Sequence, residues 1–214
     1  PDSQETYCSP LLVDLKNNGN YNVIFGTGGE TARGSMWTAP LSSLLANDLS
    51  AAIAIATDNG RGFIAPPAVA DLDGDLTLDI IIQGFNGIIY AVNGSTNLPM
   101  WTVTIPGSES STSPTIGNFT GAYGADVFAV TYKGSAPSYF DFYQVLIDGS
   151  TGEKVWQDSI ADLLFAAPNA FDYNGDGRDD IMVSTNNFTG THYEHALKIL
   201  DFQNDSVADF SAPD

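Results

Sequence analysis

The chain has one cysteine, two histidines and only seven lysines plus arginines among 214 residues, and each shortage closes off a class of function. A lone Cys8 excludes an internal disulfide framework and any CxxC metal or redox site. A free thiol and a bridge to another segment both stay open for it. Cations this scarce, against 26 acids, leave a formal charge of −19 and disfavour a nucleic-acid partner, because phosphate backbones are held by Lys and Arg. No apolar run is long enough for a membrane-spanning segment. Glu, the helix-favouring acid, supplies only 5 of the 26 acids, so the remaining 21 are Asp, a residue of turns and metal loops. The chain starts at Pro1 with no basic and apolar leader, which is expected of a processed or excised piece of a longer protein.

Hydrophobic residues make up 43% of the chain, enough for a substantial core. Four stretches align with one another. They begin at Ser9-Pro10, Ala65-Pro66, Ser113-Pro114 and Ala167-Pro168, and each continues as a short apolar strand, a polar nine-residue loop and a second apolar strand. The loops open at Asp14, Asp71, Asn118 and Asp172, separated by 57, 47 and 54 residues, and repeats of this length indicate propeller blades. After the second and third loops come GIIYAVNGSTNLPMWTV and YQVLIDGSTGEKVWQ, each two strands around a turn rich in Asn, Asp, Gly and Ser. The expected fold is therefore all-β: a β-propeller of four-stranded antiparallel blades, with repeat units at 9–64, 65–112, 113–166 and 167–214 in a single region, 1–214. Leu41, Leu44, Leu45 and Leu49 at helical spacing predict a short helix or ordered insertion in the first unit, and the fourth is expected to stop after Leu197–Phe202 without a Trp-bearing partner strand.

The loops carry the chemistry. Calcium takes six to eight hard oxygen ligands, and carboxylates on alternate residues of a tight loop can converge on one point. In DYNGDGRDD the candidates are Asp172, Asn174, Asp176, the backbone carbonyl of Arg178, and Asp180, with Gly175 and Gly177 allowing the bend. In DLDGDLTLD they are Asp71, Asp73, Asp75, the Thr77 carbonyl and Asp79, with Leu76 in place of the second glycine. An EF-hand is excluded, since the position of its bidentate Glu falls on Val183 and Ile82 inside apolar strands. The bland alternative is that Asp, Asn and Gly merely shape a turn. The first loop, with Lys16 at a ligand position, and the third, with Ala122 where the central ligand belongs, fit that alternative.

The repeated small-Pro, strand, D-x-[DN]-x-D-G-x-x-D, strand unit resembles the FG-GAP repeat of integrin α-chain propellers and the bacterial VCBS-type repeats. The hairpins are similar to the outer strands of quinoprotein-like propellers. The resemblance spans nearly the whole chain and is strongest in the second and fourth copies. It implies calcium held in hairpin loops on one rim, a role in adhesion, ligand binding or assembly, and no shared catalytic residues. It also implies about seven blades, so that four make a sector of a larger ring, completed by blades absent from this chain or by a partner.

Other motifs are weaker. His192 and His195 flank Glu194, but three residues apart on an extended segment they point to opposite faces, and no third zinc ligand stands nearby. Gly-rich segments near Gly26 and Gly60 lack the Lys-Ser/Thr step of a phosphate loop. Trp37, Trp101 and Trp156 suit packing between sheets better than a sugar platform. Sequons at Asn93, Asn118, Asn187 and Asn204 permit glycosylation in a secreted eukaryotic protein. Loops of modest charge suit the high calcium outside cells, so the expected location is extracellular or cell-surface. Two functions follow from different classes. The first is a noncatalytic scaffold binding a protein or glycan. The alternative is a calcium-supported carbohydrate-active enzyme resembling a polysaccharide lyase, its pocket completed by blades absent from this chain; carboxylate pairs of the glycosidase kind are abundant, but the calcium loops already account for the sharpest of them.

Overall fold

The structure, a computed structural model, describes residues 2–121, 124–160, 162–204 and 206–211. Ala122, expected to break the third loop's ligand set, lies outside the described residues.

Four antiparallel meanders follow one another along the chain. Blade 1 consists of β1 (Leu11–Val13), β2 (Asn22–Gly26), β3 (Gly34–Pro40) and β4 (Ile53–Asp58), with α1 (Leu41–Leu45) between its last two strands where the leucine spacing predicts a helix. Blade 2 consists of β5 (Ala68–Ala70), β6 (Asp79–Gln83), β7 (Ile88–Val92) and β8 (Pro99–Thr104). A two-residue strand, β9 (Ser108–Glu109), then joins the sheet of blade 3. That blade is built from β10 (Thr115–Gly117), β11 (Asp126–Ser135), β12 (Ser138–Ile147) and β13 (Lys154–Ile160). Blade 4 consists of β14 (Asn169–Phe171), β15 (Asp180–Phe188), β16 (Tyr193–Asp201) and β17 (Ser206–Ser211).

Two details differ from the expectation. The fourth blade does not stop at Phe202: β17 pairs along β16 from Ala196 to Asp201, because backbone pairing needs no Trp. And β9 makes the third sheet five-stranded. Glu109 anchors it, buried, paired with Arg61 at 3.0 Å and accepting a hydrogen bond from the Tyr139 hydroxyl at 2.8 Å. A buried carboxylate needs such partners.

The core lies between blades, as alternation on each strand requires. Strands buried on both faces read as unbroken apolar runs, which is why Ile80-Ile81-Ile82 carries no polar residue. Ile80 and Ile82 meet Ile24 and Met36 of blade 1, while Ile81 and Ile89 meet Val127 and Ala129 of blade 3. Phe128 and Val130 in turn meet Ile181 and Val183 of blade 4. Trp101 and Trp156 serve these junctions: the Trp101 indole N–H donates to the Gly149 carbonyl of the next blade at 2.6 Å, and Trp156 lies 5.2 Å from Phe202 of blade 4. Cys8 is a buried free thiol between blades 1 and 2, its Sγ 3.3 Å from the Ala65 carbonyl.

Candidate metal centre

Each nine-residue loop links the first two strands of its blade. Its curl comes from left-handed residues at the fourth and sixth positions: Asn17 and Gly19, Gly74 and Leu76, Gly175 and Gly177 all have positive φ, and so has Gly121 in the third loop. This bend turns successive amides inward onto the first side chain. Asp71 Oδ1 accepts from the amides of Gly74 at 2.7 Å and Asp75 at 3.1 Å, and its Oδ2 accepts from Leu76 at 3.0 Å. Asp172 repeats the set with Gly175 at 2.7 Å, Asp176 at 3.1 Å and Gly177 at 3.0 Å. The third and fifth side chains bond two residues ahead in both loops: Asp73 to Asp75 N, Asp75 to Thr77 N, Asn174 to Asp176 N and Asp176 to Arg178 N. The ninth, which begins the second strand, accepts from the amide of the second residue, from Leu72 to Asp79 at 3.1 Å and from Tyr173 to Asp180 at 2.8 Å.

Among the described residues, one group of three carboxylates converges. Asp71, Asp73 and Asp79 each offer an oxygen within 4.8 Å of the others. Asp75 is not one of this trio; its Oδ1 accepts the Thr77 amide at 2.7 Å. The fourth loop has the richer motif but Asn174 at the third position, so it cannot form the same trio, and the Asn174 side-chain amide donates to Asp201 Oδ2 at 3.0 Å.

The electrostatics of the two loops agree. Burial raises the Asp79 pKa, the amides of Gly94 and Leu72 pull it down, and the carboxylates of Asp73 and Asp75 push it up again, for a net rise. Asp180 is also raised, by burial first, against the Tyr173 amide and with Asp201, Asp176 and Asp172 as like-charged neighbours. Hard oxygens with excess negative charge at close range match a divalent cation. The first loop differs: Lys16 turns its ammonium away to the Ser95 carbonyl of blade 2, at 3.1 Å. In the third, Asp126 Oδ2 accepts from the amides of Phe119 and Thr120 and from the Thr120 hydroxyl, at 3.0, 2.8 and 2.9 Å.

Sequence reasoning missed a second duty of these loops. Their second residue is a plug for the following blade: Leu15, Leu72 and Phe119 are 4%, 0% and 1% exposed, whereas Tyr173 of the last blade is 49% exposed. The loops also bond across blades, from Leu78 N to Leu15 O at 2.8 Å and from Asp179 N to Asn118 O at 2.9 Å. The available signal was one large apolar or aromatic side chain at the same place in four polar loops.

The two histidines do not converge on a common centre. His195 Nε2 lies 2.8 Å from Ser184 Oγ, while His192 Nδ1 lies 3.0 Å from Thr191 Oγ1. Of the sequon asparagines, Asn187 and Asn204 are exposed, and Asn93 Oδ1 accepts from the Ser95 and Thr96 amides in its turn.

No protein-family model matches the chain, and no curated protein matches it. Solved structures do. The WD40 domain of Pan2 from Neurospora crassa superposes with a TM-score of 0.53 at 12% identity, over 98% of this chain and 51% of that one. The quinohemoprotein alcohol dehydrogenase of Comamonas testosteroni gives 0.59 at 12% identity, over 98% of this chain and 35% of that one. The quinohemoprotein alcohol dehydrogenase ADHIIG of Pseudomonas putida HK5 gives 0.54 at 10%, over 97% and 34%. This chain thus spans about half the length of the first and about a third of the others. Identities this low establish the fold alone: the chain has a β-propeller fold, with four blades among the described residues.

Proposed function

We propose that this chain is a sector of an extracellular, calcium-stapled β-propeller of the FG-GAP or VCBS repeat type, working as a noncatalytic scaffold that binds a protein or glycan ligand or assembles with other blades. The observation that carries the calcium reading is the Asp71, Asp73 and Asp79 trio, with oxygens within 4.8 Å of one another at the base of a curled loop. Asp75 and the Thr77 carbonyl complete the set in the second loop. Asp172, Asn174, Asp176, the Arg178 carbonyl and Asp180 form the weaker set in the fourth. The scaffold reading draws support from the WD40 neighbour and the assembly role of stacked blades, although the dehydrogenase neighbours are enzymes on the same fold.

Isothermal titration with calcium and a thermal melt with and without chelator test the cation. Extracellular modules bind calcium with dissociation constants of about 0.1–1 mM, so 10 mM calcium is expected to add roughly 1.4–2.7 kcal/mol to stability. Asp71→Asn and Asp73→Asn should remove most of that gain. No heat of binding and no shift at millimolar calcium would end the calcium reading. Product release from a pectic or algal polysaccharide would replace the scaffold with a carbohydrate-active enzyme.

A further inference from the structure

The seam between blades 2 and 3 is apolar near the nine-residue loops and changes character at the other end of its strands. Ile81 and Ile89 of blade 2 meet Val127 and Ala129 of blade 3. Strand alternation puts Gln83, two residues past Ile81 and opposite Ile89 in register, on the same face of blade 2. It likewise puts Thr131, two past Ala129, on the facing side of blade 3. Counted from Asp79 and Asp126, which open the two strands, Gln83 and Thr131 stand four (79 to 83) and five (126 to 131) places along, at nearly the same level of the seam. Both are 0% exposed. Gln83 Nε2, Gln83 Oε1 and Thr131 Oγ1 have no hydrogen-bond partner among the described residues, and they are three of the five buried side-chain atoms of which this is true. The other two lie elsewhere: Gln144 shares the opposite face of blade 3 with Phe142 and Leu146, and Trp37 belongs to blade 1. At the equivalent positions the first seam has Gly26 and Gly84 and the third has Val130 and Thr185, so at this level an amide faces a hydroxyl only in the middle seam.

We propose that the seam between blades 2 and 3 contains an internal water-binding site, in which one ordered water bridges the Gln83 amide and the Thr131 hydroxyl. The atoms to be satisfied decide the ligand. Gln83 brings donors and an acceptor, and a hydroxyl is both, so the occupant must donate as well as accept. A cation would be repelled by the Nε2 hydrogens and an anion by Oε1, while an apolar molecule would leave all three atoms unpaired. Water is the smallest species that meets every demand, and buried polar atoms are commonly paired in this way. Short side chains on the blade 3 side, Ala129 and Thr131, leave room between sheets that stand about 10 Å apart. Tyr143, opposite Thr131 in register and partly buried against the same core, flanks the site on the β12 side. The neighbouring Ser110 hydroxyl does not compete for Gln83, because it donates to the Val130 carbonyl at 2.7 Å. A bridge of this kind forms only when the two blades stand at this height, so the water fixes a seam whose isoleucines alone would tolerate sliding. The site lies away from the calcium loops and is independent of any cation there.

High-resolution crystallography of the wild-type protein and thermal melts of three variants test it. The crystal structure should show a water about 2.7–3.2 Å from Thr131 Oγ1 and from one atom of the Gln83 amide. Thr131→Val deletes the hydroxyl at nearly constant shape, and Gln83→Met deletes the amide at nearly constant volume. Each should lower Tm by about 2–4 °C, because it leaves the water and the remaining partner under-bonded. The double variant should lose less than the sum of the two, since either change alone already loosens the shared water. Gln83 and Thr131 bonded directly to each other or to backbone groups in the crystal, with no water between them, overturns the proposal. A single variant with an unchanged or raised Tm also overturns it, because apolar replacements are tolerated where polar atoms are buried dry and unpaired. Strict additivity in the double variant would mean that the two side chains share no ligand, and has the same consequence.

Discussion

Leu76 holds a backbone conformation that suits glycine. Its φ is +68°, where the first and fourth loops have Gly19 at +84° and Gly177 at +89°, and its side chain is 87% exposed. An L-residue in this region costs about 1–2 kcal/mol relative to its preferred backbone. Glycine removes that strain but costs about 0.5–1 kcal/mol in extra freedom of the unfolded chain. The Leu76 side chain buries little, so its loss forfeits almost no hydrophobic stabilisation. Leu76→Gly is therefore expected to stabilise the protein by roughly 0.5–1 kcal/mol, a rise in Tm of about 1–4 °C for a domain of this size. Urea unfolding in chelator, read by tryptophan fluorescence, isolates this backbone effect from any cation. Leu76→Ala keeps the left-handed strain while deleting most of the side chain, and should leave the midpoint unchanged or lower. Equal gains from Gly and Ala would show that the benefit came from removing an exposed Leu, and a loss with Gly would refute the conformational reasoning outright.

Two further outcomes follow from the same geometry. A Cβ on Gly149 would lie 1.9 Å from the Ala125 carbonyl oxygen, so Gly149→Ala should destabilise by about 1–3 kcal/mol in urea unfolding, while Gly60→Ala, whose nearest contact is 3.7 Å, should stay within about 0.5 kcal/mol of wild type. The raised Asp79 carboxyl gives a pH dependence with a definite sign. Without a cation, the folded state holds that proton more tightly than the unfolded chain, so the stabilisation from protonation is full below the unfolded carboxyl pKa and is lost as pH rises through the higher folded value. A bound cation needs the proton gone, so the difference in Tm with and without calcium should widen from about pH 4 to pH 7. A constant difference across that range would count against Asp79 as a ligand.

The blades were legible in sequence because each carries local signals: a small residue and Pro before the first strand and left-handed residues in the loop, joined in blades 2 and 3 by Asn93-Gly94 and Asp148-Gly149 in the outer hairpin. The clustering of Asp71 and Asp73 with Asp79 was legible for the same reason, since alternate Asp residues need only each other to be recognised. What escaped were features that depend on a neighbour. Asn174 completes the fourth motif on paper, yet its amide is drawn to Asp201, 27 residues away. The short strand β9 exists because Glu109 meets Arg61 and Tyr139, none of which is near it in sequence. Strand β17 needs only the free edge of β16, which no composition rule records.

The third loop separates what the polypeptide does from what a cation would add. Asp126 closes that hairpin with three donors of its own chain, and Asp71 and Asp172 each gather three amides in the same way. Amide-to-carboxylate bonds therefore set the curl in every loop whether or not a metal can bind. They leave two loops with more negative charge than their amides neutralise, the second with four carboxylates and the fourth with Asp172, Asp176, Asp179 and Asp180. A cation there would relieve repulsion in a loop already formed. Chelation should then lower the melting temperature without unfolding the blades, and far-UV circular dichroism unchanged by chelator at room temperature is the corresponding observation; loss of β-signal on chelation would mean that the metal, and not the backbone, holds the hairpins.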